Sequence, residues 1–292
     1  MSAFRAACVQ LSTGDDVAEN IRAATALIRE AAGKGASFIA TPENTTLMAA
    51  NGGAKLEKSF AEEADPALPV LTALAAELCV WLLIGSLAIK LNEHKTANRS
   101  FLIDPTGAIA ERYDKIHLFD VELPNGESYR ESDTVAGGNV AVIADIPAGR
   151  IGLSVCYDVR FPQLYRALAE RDAFVFTVPA AFTETTGKAH WEVLLRARAI
   201  ENGAYVIAPA QCGTHTGGRR TFGHSLILSP WGEVLADGGT EPGVIVAEID
   251  PEQSRAARAQ IPSLQHGRRF SIKNDATLAE RRQSAEELPP ED

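Results

Sequence analysis

Apolar residues recur along the chain in two rhythms, every second position and every third to fourth, and the switches between them mark out the elements. Phe4 to Leu11 reads as a first strand. From Asp16 onward Val17, Ile21, Ala24, Ile28 and Ala31 follow at helical spacing, with Gly33 and Gly35 as stop signals. Ser37 to Ala40 resumes a strand that runs into Thr41-Pro42-Glu43, where Pro42 ends regular pairing, so a β-α-β unit delivers Glu43 to a strand end. Asn44 to Ala64 is polar and irregular and reads as a rim loop. Pro66 to Leu78 is predicted helical, Val80 to Leu91 and Ala97 to Asp104 as strands, with a turn at Asp104-Pro105-Thr106-Gly107. Ile109 to Asp120 reads as a strand with Lys115 in its second half. Leu123 to Gly138, rich in Gly, Pro and charge around the turn pair Asn125-Gly126, is too long for an ordinary connection and is expected to be a functional loop.

The second half repeats the theme. Val140 to Ile146 and Gly149 to Val155 form an expected hairpin that ends at Cys156, after which Phe161, Leu164, Ala167 and Leu168 take up helical spacing. A cysteine thus stands where a strand gives way to a helix. Such a turn presents a side chain outward and aims backbone N–H groups at a developing anion. Ala173 to Pro179 is a predicted strand, Gly187 to Asn202 a helix stopped by Gly203, and Ala204 to Ala210 a strand. Ser225 to Ser229, a turn at Pro230-Trp231-Gly232, Val234 to Ala236 and Gly243 to Ile249 make a β-rich end before a last helix from Pro251. Two similar halves of this kind fit an α/β fold of two stacked sheets covered by helices, a four-layer sandwich in one domain. The domain is expected over residues 1–275 and a charged tail over 276–292.

Composition narrows the partners. With 46% hydrophobic residues in 292, the chain has enough apolar material for a sizeable core, and a net charge of −10 argues against nucleic acid and anionic membranes as partners. The longest apolar run, Leu78 to Ile89, holds Gly85 and Ser86 and is too short to span a bilayer. No secretory pattern opens the chain, so a cytoplasmic location is expected. Cys8, Cys79, Cys156 and Cys212 are far apart, without a CxxC pair, and read as reduced thiols. Cys8, Cys79 and Cys212 are expected to be packing residues. The six histidines lack ligand spacing, so neither a metal nor a cofactor is expected.

Three reactive side chains remain at strand ends: Glu43, Lys115 and Cys156. A free thiol is only about 3% ionised at pH 7, and passing its proton to an ordinary glutamate is uphill by roughly 6 kcal/mol. Burial of the carboxylate and a nearby ammonium are expected to narrow that gap. Lys115 and the Tyr157 N–H can also hold an oxyanion, each such donor contributing about 2.7–4 kcal/mol, which makes oxyanion binding the larger effect.

TPENTTL around Glu43, RYDKIHLFDVELP around Lys115 and GLSVCYDVRFPQLYRALAERDA around Cys156 resemble the Glu-Lys-Cys signature of the nitrilase superfamily of carbon–nitrogen hydrolases. The resemblance extends from about Phe4 to Phe270. It implies an αββα sandwich that dimerises into an αββα-αββα assembly, often oligomerised further, and metal-free amide hydrolysis through a cysteine thioester. It also implies a second glutamate between lysine and cysteine, for which Glu131 occupies the corresponding place and Glu127 is the lesser candidate. AFTETTGKAHWEVLLRARAIENGAYVIAPAQCG, RRTFGHSLILSPWGEVLADG and IPSLQHGRRF resemble the Nit branch, most closely its deaminated-glutathione amidases; the neighbouring ω-amidases act on 2-oxoglutaramate. Other aliphatic amidases, N-carbamoyl hydrolases and nitrilases are the alternatives within the class, and an interaction protein that kept the fold without the chemistry is the alternative outside it. A small-molecule amide is the implied substrate. Tyr157, Arg160, Phe182, Thr183 and Arg196 are candidate binding residues, while Asp158 either orders the nucleophile turn or meets substrate.

Overall fold

The computed structural model describes residues 2–124 and 126–270. Two sheets are stacked. The first runs in spatial order Gly243–Ile249, Phe4–Gln10, Phe38–Ala40, Trp81–Lys90, Thr96–Ile103 and Ile109–Asp114, with Val135–Ala136 added beside Thr96. The second runs Val234–Asp237, Leu226–Leu228, Tyr205–Ala208, Ala173–Thr177, Gly149–Leu153 and Ile143–Ile146. Within each sheet three successive strands are parallel, and parallel neighbours need crossover connections. Helices Val17–Gly33 and Ala67–Leu78 supply them in the first sheet, Pro162–Ala169 and Glu184–Asn202 in the second. The two similar halves of the sequence are therefore two β-α-β-α-β units.

The period-two alternation decides what each side chain packs against. Ala6 and Cys8 of the first strand, with Phe38, Ala40 and Leu83, join the core between the sheets, while Ala7, Val9, Ile39, Leu82 and Ile84 face Ile21, Ala24, Ile28 and Leu71 of the covering helices. A register slip of one residue would exchange the two sets, so both faces fix the register. Leu164, Leu168, Trp191, Leu195 and Ala199 cover the outer face of the second sheet. The layers are helix, sheet, sheet, helix.

Several stretches depart from the pattern-based expectation. The strand from Ile109 ends at Asp114 and not Asp120, because the Asp158 carboxylate takes the His117 N–H at 3.0 Å and draws the chain off the sheet edge. Asp120–Glu122 instead pairs with Ser128–Arg130 in a hairpin of the expected functional loop. Asn44 to Ala64 is no open rim: residues 41–48 are buried, and Gly52–Lys58 is a short helix whose N-cap Asn51 accepts the Ala54 N–H at 2.9 Å. Its polarity is absorbed internally, for Asn20 Nδ2 donates to the Thr46 carbonyl and Gln211 Nε2 to the Glu43 carbonyl, at 2.9 and 3.0 Å. Cys212–Thr214 and Arg220–Phe222 form a hairpin that a Gly-rich composition concealed. Cys8 and Cys212 are buried, but Cys79 is exposed and caps a helix in the left-handed conformation. The boundary after residue 275, the tail over 276–292 and Asn125 of the expected turn pair lie outside the described residues.

Candidate active site

The carboxyl ends of the parallel strands of both sheets meet along one edge, the place where such sheets leave a crevice. Glu43 follows Phe38–Ala40, Lys115 directly follows Ile109–Asp114, and Cys156 follows Gly149–Leu153. All three line a cavity of about 500 Å³, together with Glu131, Tyr157, Phe182 and Thr183.

Cys156 opens a single 3-10 turn, Cys156–Arg160, at φ +50°, a left-handed conformation rare for any residue with a β-carbon. Its surroundings over-determine that strained geometry. The Cys156 N–H donates to the Pro179 carbonyl at 2.8 Å, and the Val155 N–H to Asp158 Oδ2 at 2.9 Å. The next N–H, of Tyr157, lies where a helical start leaves a donor without an intrahelical acceptor.

Asp158 is fully buried and serves both neighbours of the site. Its Oδ1 accepts the His117 N–H and lies 2.7 Å from His117 Nδ1; its Oδ2 accepts the Tyr113 hydroxyl at 2.6 Å besides the Val155 N–H. Tyr113 and His117 flank Lys115 on either side. One carboxylate thus clamps the cysteine turn to the lysine segment, which decides for the ordering role of Asp158. Asp158→Ala would strand two buried donors and the half-buried His117 N–H, with an expected loss of about 3–5 kcal/mol read as a lowered urea midpoint. A midpoint equal to wild type would remove the clamp from the account.

Lys115 and its carboxylates form a buried network. Lys115 Nζ donates to Glu43 Oε1 at 2.9 Å and to Glu131 Oε2 at 2.8 Å. Asn98 Nδ2 bridges the same two glutamates at 2.8 and 3.1 Å, the Ala181 N–H donates to Glu43 Oε2 at 2.9 Å, and the Phe119 N–H to Glu131 Oε2 at 2.7 Å. Burial alone would push the Lys115 pKa down, but Glu131 and Glu43 push harder and set it well above the ordinary lysine value. Burial likewise pushes Glu43 up, yet Lys115 more than offsets it and holds the carboxyl at about 2. Burial pushes the Cys156 thiol up, and the Glu43 carboxylate adds to this against the weaker pull of Lys115. The resting site is a neutral thiol beside an ammonium and two carboxylates. The expected narrowing of the thiol–carboxylate gap is reversed: charge pairing outweighs desolvation at Glu43, and nothing outweighs it at the sulfur.

Glu131, and not Glu127, touches Lys115; Glu127 lines the cavity and accepts the Tyr129 hydroxyl at 2.9 Å. Tyr157, Phe182 and Thr183 line the cavity, Thr183 also capping the helix Glu184–Asn202. Arg160 and Arg196 are not among its walls. Arg160 lies over the Tyr157 and Phe182 rings, 5.7 and 5.4 Å from their centroids. Arg196 pairs with Glu192 at 3.2 Å on the exposed face of its helix, because Trp191, Leu195 and Ala199 claim the inner face. Sequence reasoning missed Asn98, Lys55 and Arg219. Asn98 sits on a strand face indistinguishable by pattern from an exposed one, Lys55 lies on the segment read as a rim loop, and Arg219 lies in a stretch to which the pattern assigns no element.

Among the described residues no group of three or more His, Cys, Asp or Glu is gathered as metal ligands would be. A family model described as carbon–nitrogen hydrolase matches residues 5–259. The chain is 44% identical over 270 residues to a Synechocystis sp. (strain PCC 6803 / GT-S) protein named deaminated glutathione amidase, covering 91% of this chain and 98% of that one. Among solved structures it is similar to the C. elegans NitFhit protein, with a TM-score of 0.85 and 35% identity over 92% of this chain and 66% of that longer one. Similar too is Saccharomyces cerevisiae Nit3, a member of branch 10 of the nitrilase superfamily, with a TM-score of 0.83 and 28% identity over 92% and 97% of the two chains.

Proposed function

The chain belongs to the carbon–nitrogen hydrolase family and is an amidase, and from that premise we propose that it cleaves its amide through a thioester on Cys156. The observation that carries the proposal is the Lys115–Glu43 contact of 2.9 Å on the wall of the cavity that Cys156 also lines. Cys156 is the nucleophile, Glu43 the general base and acid, Lys115 the oxyanion donor with the Tyr157 N–H, and Glu131 the group that orients Lys115.

The resting charges set the order of events. With a neutral thiol and an ionised Glu43, a free thiolate does not accumulate; the sulfur proton passes to Glu43 as sulfur bonds the amide carbon. The charge then appears on the carbonyl oxygen, within the field of the Lys115 ammonium, and each donor there contributes about 2.7–4 kcal/mol. As the tetrahedral adduct collapses, Glu43 returns the proton to the leaving nitrogen and the carbon–nitrogen bond breaks. Water follows. Glu43 takes one of its protons while its oxygen attacks the thioester, and the thiol leaves with that proton as the acid product departs.

The proposed substrate is deaminated glutathione, because the relative identical at 44% of positions carries that amidase name. A parallel assay of deaminated glutathione, 2-oxoglutaramate and an N-carbamoyl amino acid is expected to give the highest kcat/KM with the first. Preference for 2-oxoglutaramate by tenfold or more would make the chain an ω-amidase, and carbon dioxide release from the third would make it a carbamoyl hydrolase. The proposed assembly is a homodimer or larger homo-oligomer in the cytoplasm. Exposed Val193 and Ile200 on the helix Glu184–Asn202, with exposed Trp231 in the turn that packs on Ile200, form an apolar patch that supports the assembly. No helix among the described residues is long and apolar enough to cross a membrane.

A further inference from the structure

Two cations on the cavity wall take no part in the chemistry above. Lys55, on the short helix Gly52–Lys58, and Arg219, on the hairpin Cys212–Phe222, both line the cavity. Their segments are pressed together: Gly217, at φ +83°, packs so closely that an added β-carbon would lie 2.8 Å from Ala50 Cα. Two separate rim segments therefore present positive charge on adjoining walls.

Neither cation is paired in a direct salt bridge among the described residues. Lys115 is matched by Glu43 and Glu131, and Arg130, also on the wall, pairs with Glu122 at 3.1 Å. Among the described residues no carboxylate lies within ion-pair distance of Lys55 or Arg219. Lys55 Nζ donates to Asn44 Oδ1, a neutral acceptor on the residue next to Glu43, and an ammonium has three protons to give. Arg219 Nη2 donates to the Ala181 carbonyl at 2.7 Å, its Nε has no acceptor, and its guanidinium lies over Tyr129 at 5.1 Å from the ring centroid. Both anchors, Asn44 and Ala181, are tied to Glu43 by sequence or by hydrogen bond. Half-buried cations held in place without a directly paired carboxylate are what a site for an anion requires. Burial also holds the Lys55 pKa below its usual value, with Lys115 and Arg219 acting in the same direction against Glu131 and Glu43, so a bound anion would restore what the cavity withholds.

We infer that Lys55 and Arg219 form an anion subsite that binds a carboxylate of the substrate and so selects amides bearing a terminal carboxylate. The inference rests on the amidase reading of the cavity, and it specifies the substrate class. Such a carboxylate would lie at the rim, away from Glu43 and Glu131, whose charges repel it.

The test measures binding without turnover. In a Cys156→Ala background, calorimetric titration compares succinamate, an amide with one carboxylate, and succinamide, its uncharged counterpart. Succinamate is expected to bind at least about tenfold more tightly, and Lys55→Met or Arg219→Gln to weaken it by about tenfold or more while changing succinamide affinity by less than about threefold. Lys55→Arg is expected to keep most of the affinity, and thermal melts establish that each variant is folded. Equal affinity for the two ligands, undetectable binding of both included, overturns the inference, as does an unchanged succinamate affinity in both charge-removing variants. Charge-dependent binding alongside a Cys156-containing enzyme that hydrolyses no amide would retain the subsite and discard the hydrolytic mechanism; rapid hydrolysis without charge-dependent binding would do the reverse.

Discussion

Cys156→Ala is expected to lower amide hydrolysis at least about 10⁴-fold while leaving a folded protein. The size of the loss follows from the mechanism. Without the sulfur no thioester forms, and water would have to attack the amide itself, a far less reactive acyl group than a thioester. The fold should survive because the side chain is nearly enclosed, at 6% exposure, and its loss leaves the Lys115 contacts to Glu43 and Glu131 intact. Removing one buried sulfur costs about 1–2 kcal/mol, a shift of a few degrees in Tm for a chain of this size. Steady-state kinetics, melting curves and intact-protein mass spectrometry check it, the last by seeking an acyl adduct in wild type. A variant with measurable wild-type turnover would end the role of Cys156.

Glu43→Gln is expected to reduce kcat/KM by about 10²–10⁴-fold without a matching loss of thiol reactivity. The substituted amide cannot accept the sulfur proton, so the attack step loses its base. The thiol, however, sits high partly because of the Glu43 carboxylate, and removing that charge lowers it. Alkylation of Cys156 by iodoacetamide near pH 8 should therefore hold or rise while hydrolysis collapses. Loss of both in parallel would mean that Glu43 only shapes the site. The variant also has a stability signature. Glu43 meets donors on both oxygens, from Lys115 and Asn98 on one and Ala181 on the other, so a glutamine must point its amide at a donor. In the wild type, a carboxyl depressed from 4.5 to about 2 contributes stability that is complete above pH about 4.5 and lost as the pH falls towards 2. The difference in stability between wild type and Glu43→Gln should shrink across that window on acidification.

Asp158 shows where reasoning from the chain runs short. Its place two residues after Cys156 is compatible with ordering the nucleophile turn or with meeting substrate. Its contacts come from Val155, Tyr113 and His117, and only the last two explain why the strand stops at Asp114 and Lys115 turns inward. No spacing rule connects positions so far apart in the chain. Arg196 errs in the opposite sense. A cation on the helix after the second-sheet strand is a candidate for substrate binding by position alone, but the same helical period that buries Trp191 and Leu195 turns it to solvent.

What is legible along the chain is what local chemistry and period can carry. Alternation of apolar residues marked strands, helical spacing marked the crossovers between parallel neighbours, and three motifs put Glu43, Lys115 and Cys156 at strand ends. These are properties of neighbouring residues, and neighbouring residues are what a period records. Tertiary structure alone decided the pairing of Lys115 with two carboxylates, the bridge from Asn98, the direction of the pKa shifts and the gathering of Lys55 and Arg219 on one rim. Each depends on distance and burial between segments far apart in the chain. Coulomb energy and desolvation, which oppose each other at every one of these groups, have no sign until both are fixed in space.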